Sequence, residues 1–547
     1  MKEKKIDISL LYLGILGGII ALAWLILGYR LFPAINMRNL GFYLFFTFVI
    51  GIFCTFRLKE RFNGVFFTLL IALAILILGM IVSSTLLRAR SYEAISNLEE
   101  KEKPEERLAE IERDSIPTID RETADRIGNR AMGTIPELAG IYQSPKYFTT
   151  IIYKNRLTRV APLEYSGIFS WFKNNKKGIP GYITVDMATG EYKLIKLEEP
   201  IKYSTQEFFK RDVMNLLKRK YITKLWFNPS FEIDDDGHPY WVVTEQINTI
   251  GISGRVVGDI YIVDAISGEI EVYNKDKLPE WVDRVYETKS YLSYVRDKGM
   301  LSHGALNALF AKTGTYKPTS SYESDDEDSE YDDDGFSYIE LKDKEGKSRV
   351  YTYTGITSGA DKDKSNLGFV LMNSRTGEVE KYNNAMVEEY SAMSSAQGSV
   401  QEKGYKATFP TLLVNNGNFI YFMNLKDQAG LTKGYAIVDA DDYQKVYIGS
   451  SVIDVFNKLE GNVEVVLNKT IEEKETTETK KDKIVVEEVY TQVKDGNTEY
   501  IIISNDKTYV LSAKDDYKYK GIEIKKDDTL EIEYEEKEYF NQIKDIK

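Results

Sequence analysis

His238 and His303 are the only histidines in this chain, and Cys54 is its only cysteine. That scarcity excludes a histidine-rich or thiolate metal centre within one chain, and any internal disulfide. A Ser-His-Asp triad could draw only on those two imidazoles. His238 lies in an Asp-Gly turn, "DDDGHPY", and His303 begins the apolar stretch "HGALNALF". Neither His-Glu-x-x-His, nor a P-loop, nor a glycine-rich dinucleotide fingerprint occurs. Carboxylates remain. A two-carboxylate or Ser-Lys site can be assembled from residues far apart in sequence, so it leaves no local signature. The densest acidic run is "ESDDEDSEYDDDG", Glu323–Gly335, and dense carboxylates attract hard cations such as Ca²⁺. Its best calcium-loop register starts at Glu330 and fits Asp332, Asp334 and Gly335. The twelfth position is Leu341, where a bidentate Glu is required. The run therefore reads as a solvated connector, and Asp234, Asp235 and Asp236 read as turn residues. Trp171, Trp226, Trp241 and Trp281 could stack on sugars, but packing inside β-rich modules is the commoner use of such rings. No catalytic, cofactor-binding or metal-ligating residue is assigned, and no cofactor is called for.

The elements that would position any site are dominated by a repeated hairpin. "GYITVDMATGE" starts at Gly181, "GDIYIVDAISGE" at Gly258 and "GFVLMNSRTGE" at Gly368. A degenerate fourth, "GYAIVDADDYQKVYIG", starts at Gly434 and is read as replacing the turn glycine with Asp442. Asp186, Asp264, Asn373 and Asp439 hold the same place in the four copies. A short polar side chain at a strand end accepts from turn amides, and the glycine supplies positive φ, so this position explains itself structurally. Further hairpins are expected at Asp236-Gly237 and Asn416-Gly417. A helix is expected from Ser204, with Phe208, Val213, Leu216 and Leu217 on one face. Others are expected from Pro279 to Gly299, near Ala385–Gln401, and over 118–133, capped by Thr118 or Asp120 and ended by Gly133.

A helix followed by antiparallel strands ending in "VDxxTGE" resembles the PepSY-type domain. Val263, Asp264, Ser267, Gly268 and Glu269 carry the resemblance, with the matching sets 185–191 and 372–378. It implies an α+β fold outside the membrane, attached to an anchor or enzyme, with a binding or inhibitory role. The overall layout also resembles multi-spanning envelope proteins of Gram-positive bacteria.

Three apolar runs open the chain, roughly Ile8–Leu27, Leu40–Phe56 and Gly64–Leu87. About 20 apolar residues cross a bilayer as a helix, so the expectation is a three-helix membrane anchor contacting lipid through residues 8–87. Lys2, Lys4, Lys5, Arg57, Lys59 and Arg61 favour a cytoplasmic N-terminus in a multi-pass membrane protein, with residues 91–547 extracytoplasmic. None of the runs contains an ionisable residue that would mark a proton or ion path.

The expected organisation is therefore an anchor over 1–90, a charged spacer over 91–117, and a first PepSY-like α+β module over 118–300. A linker with the acidic loop follows over 301–337, a second module over 338–455, and a small all-β domain, barrel or sandwich, over 456–547. "IEEKETTETKKDK", from Ile471, reads as a mobile hairpin tip within that last domain. Residues 1–90 carry ten Lys/Arg and three Asp/Glu, so with a net charge of −13 overall the remainder carries about −20. A body so acidic argues against nucleic acid. The leading expectation is a non-catalytic membrane-anchored binding or scaffold protein of the cell envelope with a protein partner. The alternatives are an accessory subunit of a transport or secretion assembly, and an envelope enzyme with a dispersed carboxylate site in a cleft of converging acids.

Overall fold

The computed structural model describes residues 77–546 except 110, 134–137, 139, 146, 320–334, 361–364, 462–478, 495–496, 506, 513–523 and 537–540, together with residues 73 and 74. The expected three-helix anchor, and the multi-pass membrane placement built on it, are overturned. No helix among the described residues is long and apolar enough to cross a membrane. The first two apolar runs lie outside those residues. The third was expected to continue unbroken to Leu87, but its helix stops at Ser83–Ser84, where Ser84 takes an extended conformation. The break is held by hydrogen bonds. Ser83 Oγ accepts from Ile252 N at 3.1 Å, and Tyr92 Oη donates to Ser83 O at 2.7 Å. A separate helix, Thr85–Glu93, then packs Ala89 against Leu301 and Ala305. Ser83, whose polar atoms find partners off the helix, and Ser84, whose hydroxyl donates back to Ile81 O at 2.6 Å, thus end a run that hydropathy alone reads as continuous.

Among the described residues the repeated hairpin closes a four-stranded meander four times, twice between residues 149 and 273 and twice between residues 337 and 449. The first comprises Thr149–Tyr153, Arg156–Pro162, Ile179–Asp186 and Tyr192–Ile201. The second comprises Ser230–Ile233, Pro239–Ile250, Ser253–Asp264 and Ile270–Tyr273. The third comprises Ser337–Lys342, Ser348–Ser358, Asn366–Asn373 and Val379–Tyr382. The fourth comprises Thr411–Asn415, Asn418–Lys426, Thr432–Asp439 and Val446–Gly449. Sequential strands are neighbours in every sheet. In the last three, the far half of the second strand also pairs with a short strand preceding the first: Leu225–Trp226, Tyr316–Pro318 and Lys406–Ala407.

Each motif turn is tied the same way. Oδ1 of Asp186, Asp264, Asn373 and Asp439 accepts from the amides two and three residues on, at 2.7–3.1 Å. Thr189, Ser267 and Thr376 then accept through Oγ from the following glutamate amide. Asp442 does this for Gln444. The expectation that Asp442 replaces the glycine is therefore corrected: Asp442 stands in the Ser/Thr place and Tyr443 in that of glycine. The turn is also longer there. Asp439 N pairs with Lys445 O, six residues on, whereas Asp264 N pairs with Glu269 O, five on.

Helix boundaries shift from expectation where polar side chains intervene. The segment from Ser204 stays irregular until Asp212, whose Oδ1 accepts from Asn215 N at 2.8 Å and starts the helix Val213–Lys220. Residues 279–286 are not helical. They lay Val282 and Val285 over Val242, Ile260 and Ile262, and the helix begins at Thr288 and runs past Gly299 to Leu301. The third helix is Glu389–Gly398. Asp120 supplies the cap expected for Arg121–Gly133, accepting from Thr123 N at 2.8 Å.

Two compact units divide the described chain. One holds the second meander, with residues 167–180 and 197–315 and the helices around Thr85–Glu93 and Thr288–Leu301. The other holds residues 98–166, 181–196 and 316–547, and so the third and fourth meanders, most of the first, and the C-terminal strands. In this second unit the helix Glu389–Gly398 lies in a core shared by the third and fourth sheets, with Ala392, Met393 and Ala396 against Tyr353, Phe369, Leu412 and Tyr421. The opposite face of the fourth sheet is covered by Val452, Val455 and Phe456 of the helix Val452–Leu459.

The C-terminal residues form one six-stranded sheet. Its edge strand Thr479–Val485 falls partly in the charged run read as a hairpin tip. The charges serve the pairing, because Lys481 and Lys483 stand opposite Glu533 and Glu531 and form ion pairs with them.

Candidate functional site

The first and third meanders flank a cleft of about 310 Å³ within the second unit. Its chemistry comes from three places. Arg156 and Asp186 come from the first meander, Glu340 and Lys342 from the strand Ser337–Lys342, and Glu112 and Asp114 from the short helical turn around Arg113–Ser115. Strand alternation aims the third meander's contribution. Ile339 and Leu341 are buried in the core shared with the fourth sheet, so Tyr338, Glu340 and Lys342 face the other way. Leu157, Met187, Val350 and Tyr338 form an apolar cluster beside the cleft.

Asp186 is fully engaged. Oδ1 ties the motif turn, and Oδ2 pairs with Arg156 Nε at 3.0 Å, while Arg156 Nη2 donates to Asp114 O at 3.3 Å. Glu340 is different. Burial pushes its carboxyl pKa up, Ser348 and Arg156 pull it down, Asp186 and Glu112 add to the rise, and the net direction is upward. It therefore stays protonated, and able to donate, to higher pH than an ordinary glutamate.

The residues singled out from sequence are mostly structural. His238 Nε2 lies 3.0 Å from Asp264 Oδ2, at the place where Arg156 meets Asp186 in the first meander. Burial works against ionisation of Asp264, but the Ser267 and Ile266 amides and His238 together hold its pKa below the usual range. Among the described residues His303 bonds to the neighbouring Ser302 Oγ, at 3.0 Å, and shares no hydrogen bond or ion pair with His238 or Asp264. The tryptophans serve packing. Trp171 Nε1 donates to buried Glu207 at 2.8 Å, Trp241 Nε1 donates to Tyr203 O, Trp281 stacks on Tyr240, and Trp226 meets Tyr221 and Tyr261 edge-on. Of the acidic run Glu323–Gly335, only Gly335 is among the described residues. Leu341 is buried in the core. Among the described residues no group of three or more His, Cys, Asp or Glu is placed to hold a metal.

The sequence reading missed Glu112, Asp114, Arg156 and Glu340. Their one signal was the motif residue Asp186, which lines the same cleft. Glu340 lies in "SYIELKDKEG", whose alternation marks it as opposite the core face, but nothing local shows what it faces.

No family model matches the chain. No curated protein is similar to it in sequence. Among solved structures, an endo-1,4-β-xylanase from Bacteroides thetaiotaomicron is similar at 13% identity, over 56% of this chain and 75% of that one, with a TM-score of 0.16. A levansucrase variant from B. megaterium aligns at 8% identity over 80% and 97%, with a TM-score of 0.17. A Synechocystis apocarotenoid oxygenase variant aligns at 8% identity over 56% and 50%, with a TM-score of 0.13. Scores so low carry no inference about fold or activity.

Proposed function

We propose that this chain is a non-catalytic binding protein, and that the cleft beside Asp186 takes a small polar molecule bearing an amine. The observation that carries this reading is the set of groups lining the cleft: four carboxyls, Glu112, Asp114, Asp186 and Glu340, against Arg156 and Lys342. Their excess of negative charge suits a cation. The volume is at the low end for ligand pockets, so it suits something of the size of a lysine side chain or an amino sugar. Catalysis by a carboxyl pair is the weaker reading, because a general base or nucleophile needs a free oxygen. Both oxygens of Asp186 already serve the turn amides and Arg156.

Isothermal titration with Nα-acetyl-lysine amide tests it. Saturable binding is expected, and acetylation of the ε-amine should weaken it by about tenfold or more, the loss of a charge-assisted contact. Affinity should rise with pH above the ordinary glutamate range, because Glu340 gains its negative charge only as pH climbs through its elevated pKa. Glu340→Gln should abolish that rise. Equal binding of the amine and its acetylated form, or binding of neither, would overturn the reading.

A further inference from the structure

One sheet edge is occupied by a strand of this chain, and among the described residues its counterpart is not. Strand Leu98–Lys101 adds in parallel to the outer edge of the third meander, with Leu98 opposite Val379, Glu99 opposite Glu380, Glu100 opposite Lys381 and Lys101 opposite Tyr382. Two ion pairs fasten it. Lys381 Nζ meets Glu100 Oε1 at 2.8 Å, and Arg107, six residues past the strand, meets Glu380 at 3.0 Å. Tyr382 Oη completes Glu380 with a hydrogen bond of 2.8 Å.

The second meander ends in nearly the same strand. Ile270-Glu271-Val272-Tyr273 stands against Ser253–Asp264 as Val379-Glu380-Lys381-Tyr382 stands against Asn366–Asn373: Tyr273 lies opposite Ile260 and Tyr382 opposite Phe369. Tyr273 Oη donates to Glu271, repeating the Tyr382–Glu380 pair. The outer strands of the other two meanders, "YKLIKLEEPI" and "VYIG", lack this Glu-x-Tyr spacing. Yet the second meander's sheet stops at Ile270–Tyr273 among the described residues. The exposure differs accordingly. Lys381, under its strap, is 8% exposed, whereas Val272 is 46% exposed. Among the described residues no ion pair reaches Glu271.

Unpaired edges are templates for another strand, and proteins ordinarily blunt them with charge or proline. The first meander's outer strand carries Lys193, Lys196, Glu198, Glu199 and Pro200. Ile270–Tyr273 carries one charge, and that charge is the residue that an arginine engages in the third meander.

We infer that the edge Ile270–Tyr273 binds an extended segment of a partner protein as a parallel added strand. Main-chain hydrogen bonds supply the pairing. An apolar residue stands opposite Val272, where Glu100 stands opposite Lys381. A basic residue downstream of the strand engages Glu271, as Arg107 engages Glu380.

The test uses the full-length chain and a fluorescein-labelled peptide with the sequence of residues 96–109 carrying Glu100→Val, followed by fluorescence anisotropy. Saturable binding is expected. Glu271→Lys in the protein, on an exposed side chain, should weaken it by about tenfold, as should Arg107→Glu in the peptide, each by removing a charge-assisted contact. The two reversals combined should restore binding. Absence of binding, binding indifferent to Glu271→Lys, or failure of the combined reversals to restore it would each overturn the proposal.

Discussion

Gly268→Val should destabilise the second meander by about 3–5 kcal/mol, read as a fall in the urea midpoint of the unit that contains it. Two costs combine. Gly268 has φ +79°, in the left-handed region that a β-branched side chain adopts only under strain. A Cβ placed there would also lie 2.3 Å from Tyr203 Cζ. The Tyr203 backbone is held at both ends, since Tyr203 N donates to Ala265 O at 2.9 Å and Tyr203 O accepts from Trp241 Nε1 at 3.0 Å, so relief must come from rotating the ring about its side-chain torsions. Asp264→Asn should cost far less, because Asn373 already ties the same turn at 2.9 and 3.0 Å in the third meander. The fourth meander accepts Tyr443 at the glycine place because its turn is one residue longer, and Tyr443 does not have positive φ. If Asp264→Asn proved the more damaging substitution, the turn would not be the reason for the motif.

The second large effect is on pH. Glu389 is fully buried, and burial raises its pKa to about 7. Tyr353 Oη donates to Oε1 at 2.6 Å, and the Thr319 hydroxyl also favours the carboxylate, while the Glu388 charge opposes it. The neighbouring Tyr421 donates instead to Val387 O. Gly355 makes the space, since a Cβ there would lie 2.0 Å from Glu389 Oε1. A carboxyl whose folded pKa lies above its unfolded one contributes stability that is complete below the unfolded value. That stability is lost as pH rises through the folded pKa. Between about pH 4 and pH 7 the loss is roughly 3–4 kcal/mol. Glu389→Gln keeps the acceptor for Tyr353 and cannot ionise, so it should lack this part of the slope and exceed wild type at pH 8. Urea unfolding of both proteins at pH 5, 6, 7 and 8 measures the difference. Parallel pH profiles would mean that Glu389 is not the group that titrates.

Much of the strand architecture was legible because its signals are local. The Asp-Gly and Asn-Gly turns fall where expected, with Asn416 and Gly417 both at positive φ. The β-branched and aromatic runs "YITVD" and "YIVD" mark strands without any tertiary knowledge, but do not show that 182–185 and 260–263 are buried on both faces. What was not legible depended on partners distant in sequence. The third apolar run could not reveal its break, because Ser83 is held by Ile252. The segment 279–286 looked helical from Pro279 at one end of the stretch and Gly299 past the other, yet Val282 and Val285 are used against the second sheet. The fourth copy is recognisable in the sequence, but Asp442 reads as standing in the glycine place, because a turn that gained a residue blurs the alignment. The cleft stayed invisible for the same reason: Asp186 and Glu340 are 154 positions apart in the chain, and no spacing rule joins them.

The helix Glu389–Gly398 serves two sheets at once, with Ala392, Met393 and Ala396 in a core drawn from both. Neither sheet then owns its inner covering, and a fragment cut between the third and fourth meanders would leave one of them bare. Native-state hydrogen exchange should therefore register residues 348–373 and 418–439 as one cooperative opening, with slow amides on both sheets released at a common free energy. Protection lost from one while the other held would show that they are separate folding units.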